Sequence, residues 1–167
     1  GYQTGYNNTG SSNTAVGFLS FNANTTGTSN TTLGRESLKA NTTGVNNIAI
    51  GYQPLLVNTT GSQNISLGTN SLLNNIVGSD NIAVGVNALR FNTASNNVAM
   101  GRDALYSNTT GANNVGLGRA ALQNNVGGQE NTAVGAYSLT LNTANYNTAV
   151  GKNALYSNTT GASNVAL

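Results

Sequence analysis

The chain contains no cysteine, no histidine and no tryptophan, and it has a single proline among its 167 residues. Without cysteine and histidine there is no disulfide framework, no zinc finger, no thiol or imidazole nucleophile and almost no transition-metal site. Only 6% of the residues are charged, against about a quarter in an average soluble protein. The composition therefore predicts a non-catalytic protein with no catalytic residue, no metal site and no cofactor.

The few charged residues also exclude several kinds of partner. The four carboxylates are Glu36, Asp80, Asp103 and Glu130, which lie far apart in the sequence and so do not suggest a paired-carboxylate site. A net charge of +2 on so few charged groups reflects a scarcity of acids and gives no basic face, so we expect no nucleic-acid partner. No apolar run approaches the roughly 20 residues of a membrane span, so we expect none in this segment.

Polar character comes instead from 31 Asn and 22 Thr, which occur beside 21 Gly in a repeat that covers the whole chain. The repeated string is asparagine, a β-branched residue, a small residue, an aliphatic residue and glycine. Its spacing is 16 or 17 residues, so residues 1–167 form one continuous array of ten units, as a piece of a longer fibre would. The units begin at residues 1, 17, 34, 51, 68, 85, 101, 118, 135 and 151.

Numbering each unit from its glycine makes the columns of the repeat comparable. Position 15 is always β-branched, position 16 is always Ala, Ser, Thr or Gly, and position 4 is small or Pro54. Position 5 is leucine in eight units, with Phe21 and Gly5 as the exceptions. Charged residues occur only at positions 2, 3, 6 and 13, and the change between 16 and 17 residues falls in the polar turn that follows position 8.

This period predicts an all-β fold, a parallel β-solenoid (β-roll) of ten coils with two short strands in each coil. Apolar stretches of so few residues are too short for ordinary helices, and the β-branched residues favour strands. Helical-hairpin repeats need about 33 to 47 residues and leucine-rich repeats about 20 to 29. Each strand should pair in parallel with its equivalent in the next coil, about 4.8 Å along the axis.

The sequence leaves open which side of the strand lies inside the coil. We favour positions 15, 17 and 5 as the core, with the small residues at 16 and 4 on flat outer strips. In the alternative, the small residues lie inside and the aliphatic columns form outer apolar stripes that other chains must cover. Either arrangement predicts association with other copies. The expected core aliphatic column at position 17 is Val16, Leu33, Ile50, Leu67, Val84, Met100, Leu117, Val134, Val150 and Leu167.

Asparagine occupies two columns without exception, which loop filler would not do. A primary amide stacked in register can donate a hydrogen bond to the amide oxygen of its neighbour, and asparagine also suits tight turns. We therefore predict two structural asparagine ladders. At position 8 the ladder is Asn8, Asn24, Asn41, Asn58, Asn75, Asn92, Asn108, Asn125, Asn142 and Asn158; at position 14 it is Asn13, Asn30, Asn47, Asn64, Asn81, Asn97, Asn114, Asn131, Asn147 and Asn164.

The strings NTAVG, NIAIG and NIAVG, followed by GxxAL and NTTG, resemble the head repeats of trimeric autotransporter adhesins and similar repeats in bacterial and phage tail-fibre proteins. The resemblance covers all ten units, although these coils are longer than is typical of autotransporter heads. It implies a left-handed parallel β-roll, three chains side by side, and a place outside the cell on a cell surface, a secreted fibre or a virion tail. It also implies binding to a host surface.

We therefore expect an extracellular structural fibre, an adhesin shaft or head segment, that assembles with itself as a homotrimer, end to end, or both. One alternative is a carbohydrate-binding surface, since Tyr106 and Tyr156 share position 6 and Tyr2 and Tyr52 share position 2. A less favoured one is an ice-binding surface made by the paired threonines of the NTT turns. These pairs are Thr25 and Thr26, Thr42 and Thr43, Thr59 and Thr60, Thr109 and Thr110, and Thr159 and Thr160.

Overall fold

A computed structural model describes all of residues 1–167 as an all-β protein with one short strand in each unit of the repeat. None of its segments is a helix long and apolar enough to cross a membrane. The strands are β1 (Thr14–Val16), β2 (Thr31–Leu33), β3 (Ile48–Ile50), β4 (Ile65–Leu67), β5 (Ile82–Val84), β6 (Val98–Met100), β7 (Val115–Leu117), β8 (Thr132–Val134), β9 (Thr148–Val150) and β10 (Val165–Ala166).

The ten strands form one parallel sheet in sequence order, β1 to β10. Each residue pairs with its equivalent one coil away, as Ile65 does with Ile82 and Ser66 does with Ala83. The register is unchanged at the short coils, where Ile82 pairs with Val98 across a 16-residue step. The predicted parallel β-solenoid is thus confirmed, and ten strands about 4.8 Å apart give a sheet about 43 Å long.

Glycine at position 1 is required where each strand ends. From Gly17 to Gly151 these glycines have φ between 126° and 137°, a conformation that residues with a side chain rarely adopt. At Gly68 an added Cβ would also lie 2.6 Å from the carbonyl oxygen of Gly85 in the next coil. The repeat therefore keeps glycine here because both the backbone angle and the neighbouring coil exclude any larger residue.

The prediction of a second strand in each coil is wrong. Positions 2 to 7, which we call the turn side, follow the glycine as successive turns, and the residues at positions 3 and 5 have positive φ in every coil. Gln53 has φ 56° and Leu55 has φ 51°. An extended strand has negative φ throughout, so this backbone cannot be one. It still joins neighbouring coils, since the Leu55 amide donates to the Ser71 carbonyl at 3.1 Å.

The favoured orientation of the strand is also wrong, and the alternative holds for positions 15 to 17. Position 16 points inward and is buried in all but the two end coils, whereas positions 15 and 17 are exposed or half-buried in every coil. The residues proposed as the core aliphatic column therefore lie outside the core, and six of them are exposed: Val16, Leu33, Ile50, Met100, Val150 and Leu167. The other four, Leu67, Val84, Leu117 and Val134, are half-buried.

The leucine column at position 5 explains this orientation. These leucines are fully buried from Leu38 to Leu139, so the turn side fills most of the space inside the coil. A Cβ added to Gly116 at position 16 would already lie 3.3 Å from the Leu105 side chain. Only small residues fit opposite leucine, so the larger aliphatic residues of the strand must point outward. Position 5 was predicted correctly as core.

Candidate functional site

The asparagine column at position 8 forms a continuous ladder of side-chain amides along the solenoid. Each Nδ2 donates to the Oδ1 of the asparagine one coil earlier, at 2.6 to 3.5 Å. Each Nδ2 also donates to a carbonyl in its own turn, as Asn58 does to Gly61 at 3.0 Å. From Asn24 to Asn142 the column is fully buried. The predicted ladder is present.

The column at position 14 forms a second buried ladder that also uses the backbone. The Asn64 amide N–H and its side-chain Nδ2 both donate to Asn47 Oδ1, at 3.0 Å and 3.1 Å. The same Nδ2 donates to the Gly78 carbonyl at 2.9 Å. The backbone donation repeats at all nine steps, so each asparagine fixes the start of the next strand.

The two ladders are connected where a coil has 16 residues. In these coils the Nδ2 at position 14 turns to the Oδ1 at position 8 of the same coil instead of the previous coil. Asn97 donates to Asn92 at 3.2 Å, Asn147 donates to Asn142 at 3.2 Å, and Asn13 donates to Asn8 at 3.2 Å. Shortening the turn by one residue therefore preserves hydrogen bonding, because it brings the two amides within reach of each other.

The turn carbonyl at position 11 lies between the ladders and accepts from both. The Gly61 carbonyl accepts from Asn58 Nδ2 at 3.0 Å and from Asn47 Nδ2 at 2.9 Å. A Cβ on Gly61 would lie 2.3 Å from Asn58 Oδ1, which explains the glycine of the NTTG turn. These amides are neutral and do not ionise near neutral pH, so the ladders order the chain without offering acid or base chemistry.

Nowhere in the structure do three or more histidine, cysteine, aspartate or glutamate side chains gather in a group that could hold a metal ion. Comparison with family profiles, with curated proteins and with solved structures returns no match to this chain.

The outer surface of the sheet carries two parallel apolar columns, which we call the strand face. It consists of positions 15 and 17, and none of its twenty side chains is buried. Position 15 is Ile48, Ile65, Ile82, Val98 and Val115 in the third to seventh coils, Thr14, Thr31, Thr132 and Thr148 on either side of them, and Val165 in the last coil. No charged residue lies in either column. The strand face is therefore an apolar strip along the rod.

A second apolar surface lies where the turn side meets the NTTG turn. It is an open groove of about 540 Å³ lined by Val57, Asn74, Ile76, Phe91, Thr93, Ser107, Thr109 and Val126. A smaller hollow of about 370 Å³ continues from Val57 and is lined by Asn22, Ala23, Lys39, Ala40 and Leu56. We call the two together the side groove. Positions 6 and 7 vary along the chain, and at position 9 the usual threonine is replaced by Ile76 and Val126, so the repeat itself does not indicate the groove.

Three of the four tyrosines considered for sugar binding pack on neighbouring side chains. The Tyr2 ring stacks on Phe18 with centroids 5.7 Å apart, and the Arg35 guanidinium lies 5.6 Å from the Tyr52 ring. Tyr106 packs edge-on against Phe91 at 5.1 Å. Stacking along the rod occupies ring faces that a sugar would use.

The first threonine of every NTT turn except the last donates its hydroxyl to the backbone. Thr25 Oγ1 donates to the Thr42 carbonyl at 3.0 Å, and Thr42 Oγ1 donates to the Thr59 carbonyl at 3.1 Å. The second threonines, such as Thr26 and Thr43, are exposed. The hydroxyls of these first threonines therefore act mainly as a further connection between coils.

One carboxylate has a perturbed acidity. Gln53 Nε2 donates to Glu36 Oε2 at 2.7 Å and Lys39 Nζ donates to Oε1 at 3.1 Å. These two hydrogen bonds, the first of them contributing most, hold the pKa of Glu36 below its ordinary value although partial burial acts in the opposite direction. Lys39 belongs to the same coil as Glu36 and Gln53 to the next one, so these hydrogen bonds form a structural contact between neighbouring coils.

Proposed function

We propose that this chain is a non-catalytic structural segment of an extracellular fibre or adhesin, in which several copies of the solenoid lie side by side. The observation that carries the proposal is the strand face. Two aliphatic or β-branched columns run the length of the sheet with no side chain buried. A continuous exposed apolar strip along the whole sheet supports contact with another macromolecule.

The interior supports a role as a stiff element. Two asparagine ladders and one sheet connect every coil to the next through hydrogen bonds between equivalent positions. The chain therefore forms a regular rod whose length grows with the number of repeats. A location on a cell surface, in a secreted fibre or on a virion tail rests on the resemblance of NTAVG and NTTG to adhesin and tail-fibre repeats. That resemblance also favours three copies around the axis.

The other two proposed roles receive less support. A sugar-binding role for Tyr2 and Tyr52 would compete with their stacking on Phe18 and Arg35. An ice-binding role would need ranks of free threonine hydroxyls, whereas the first rank donates to carbonyls and both ranks are interrupted at Ile76 and Val77.

The test measures association and shape together. We expect native mass spectrometry of the chain to give an oligomer, and electron microscopy to show short rods wider than one solenoid. Ile82→Lys, on the strand face, should convert the oligomer to monomer while circular dichroism stays unchanged, because a buried lysine would lose its hydration. Thr69→Lys, exposed at position 2 of the same coil, is the matched control and should leave the oligomer intact. Monomeric wild-type protein or compact globules would contradict the proposal.

A further inference from the structure

The strand face is too narrow to make a stable contact with a second strand face. Positions 15 and 17 are separated by about 7 Å along an extended chain, and the sheet is about 43 Å long, which gives a strip of about 300 Å². A stable interface buries about 800 Å² on each partner. Side chains at the margins add area, but two strips facing each other would still leave each solenoid with most of its apolar surface in water.

The side groove is the second exposed apolar surface of the solenoid. It runs along the rod from Ala23 in the second coil to Val126 in the eighth, and it is lined by aliphatic and aromatic side chains interspersed with small polar ones. Lys39 is its only charged residue. A solenoid that used its strand face on one side and its side groove on the other would bury both of its exposed apolar surfaces.

We propose that the strand face of one copy docks into the side groove of the neighbouring copy, so that the contact joins two different surfaces. This inference rests on the proposed lateral assembly and names the surface that receives the strand face. The occupant is a second copy because the coils that line the groove and the strands of the strand face have the same axial spacing. Only a partner with the same axial repeat presents one apolar side chain at each level, and the strand face has that repeat.

The apolar residues of the strand face and of the side groove occupy overlapping sets of coils along the rod. The apolar section of position 15 extends from Ile48 in the third coil to Val115 in the seventh, and it gives way to threonine in the second and eighth coils. The groove occupies the second to eighth coils. Copies related by rotation about an axis parallel to the rod would therefore place the isoleucines and valines opposite the groove.

A contact between unlike surfaces has a symmetry consequence. One such contact between two copies leaves one strand face and one side groove free, so the contact closes a ring or continues as an open array. A ring with its axis along the rod keeps all copies parallel and keeps equivalent coils at the same height. Three copies around the axis, as the resemblance suggests, would satisfy this arrangement.

Cross-linking tests the contact directly, because the wild-type chain has no cysteine. Three single variants of the fifth coil are made: Ile82→Cys on the strand face, Asn74→Cys in the side groove and Thr69→Cys outside both surfaces. They are assembled in pairs and oxidised. We expect the I82C and N74C chains to form a disulfide at least about tenfold more than the I82C and T69C chains, since the bond needs Cα atoms within about 7 Å.

A second variant keeps the test independent of cross-linking efficiency. Asn74→Lys should dissociate the oligomer as Ile82→Lys does, because the groove is half of every contact, and circular dichroism should show that the coil is intact. An oligomer in which I82C chains cross-link mainly to one another, or which N74K leaves unchanged, would overturn the docking inference while leaving lateral assembly standing. A monomeric wild-type protein would overturn both.

Discussion

The strand side and the turn side of each coil reach the same interior by opposite means. The strand side uses extended backbone and turns its small residue inward, leaving Ile65 and Leu67 outside. The turn side uses backbone with positive φ at positions 3 and 5 and turns Leu72 fully inward, whereas the adjacent Leu73 is half-buried. Burial here depends on the space that the opposite side of the coil leaves free, and not on the size or hydrophobicity of the residue itself.

The largest expected effect comes from the glycine that joins the two sides. Gly68→Ala adds a Cβ 2.6 Å from the Gly85 carbonyl at φ 137°, so we expect the free energy of unfolding to fall by about 4 kcal/mol or more. Thermal unfolding followed by circular dichroism measures this. Gly127→Ala is the control, because its nearest neighbour is the Thr110 hydroxyl at 3.2 Å. Equal losses in the two variants would show that the junction is more tolerant than the geometry implies.

The next effect separates the two sides directly. Leu89→Ala removes a fully buried side chain from the turn side and should cost about 2 to 5 kcal/mol. Leu67→Ala, the same change at a half-buried position of the strand, should cost the dilute chain less than about 1 kcal/mol. Urea unfolding at low protein concentration measures both. If the two losses were reversed, the leucine column would not be the core.

A smaller effect is expected from the asparagine ladder at position 8, which directly follows the turn side. Asn125→Ala removes donors to Asn108 Oδ1 at 3.0 Å and to the Gly128 carbonyl at 2.8 Å, and should cost about 1 to 3 kcal/mol. The neighbouring Asn124→Ala is a matched control, because its side chain is exposed and makes no hydrogen bond in the structure. Hydrogen exchange of the eighth coil should accelerate only in the first variant. Similar exchange in both would argue that the ladder contributes little.

The smallest effect concerns Glu36 on the turn side. Because its pKa is lower in the folded chain than its ordinary value of 4.5, the carboxylate stabilises the fold above that pH. This contribution is lost as the pH falls through the lowered pKa. We expect Glu36→Gln to reduce the loss of stability on acidification below pH 4.5 by less than about 1 kcal/mol, since the site is partly exposed. Glu130→Gln, an exposed carboxyl, is the control, and an equal change in both variants would exclude a special role for Glu36.

Much of this fold could be predicted because the repeat itself carries the information. Glycine spacing gave the coil boundaries, and the asparagine columns indicated the ladders that the structure contains. The turn side was predicted as a second strand because leucine at position 5 adopts positive φ, and nothing about a leucine side chain indicates that conformation. Only the contacts of the next coil hold that conformation.

The orientation of the strand could have been found from the asparagines alone. In an extended chain, residues two apart point to the same side. If Asn64 lies in a buried ladder, then Ser66 must also point inward, and Ile65 and Leu67 must point outward. A buried ladder at position 14 and a core at positions 15 and 17 are therefore incompatible. The side groove had no such signal, because its apolar lining depends on residues that depart from the repeat, such as Ile76, Phe91 and Val126.

The amide ladders also affect how this protein responds to temperature. Its buried side chains are more often asparagine, serine or threonine than hydrophobic, and its aliphatic strand residues already contact water in the single chain. Exposing apolar groups raises the heat capacity on unfolding and exposing polar groups lowers it. The heat-capacity change per residue should therefore be small, and the stability curve of one solenoid should be broad and flat. Such a chain would keep its form in the cold, where proteins held by large hydrophobic cores weaken.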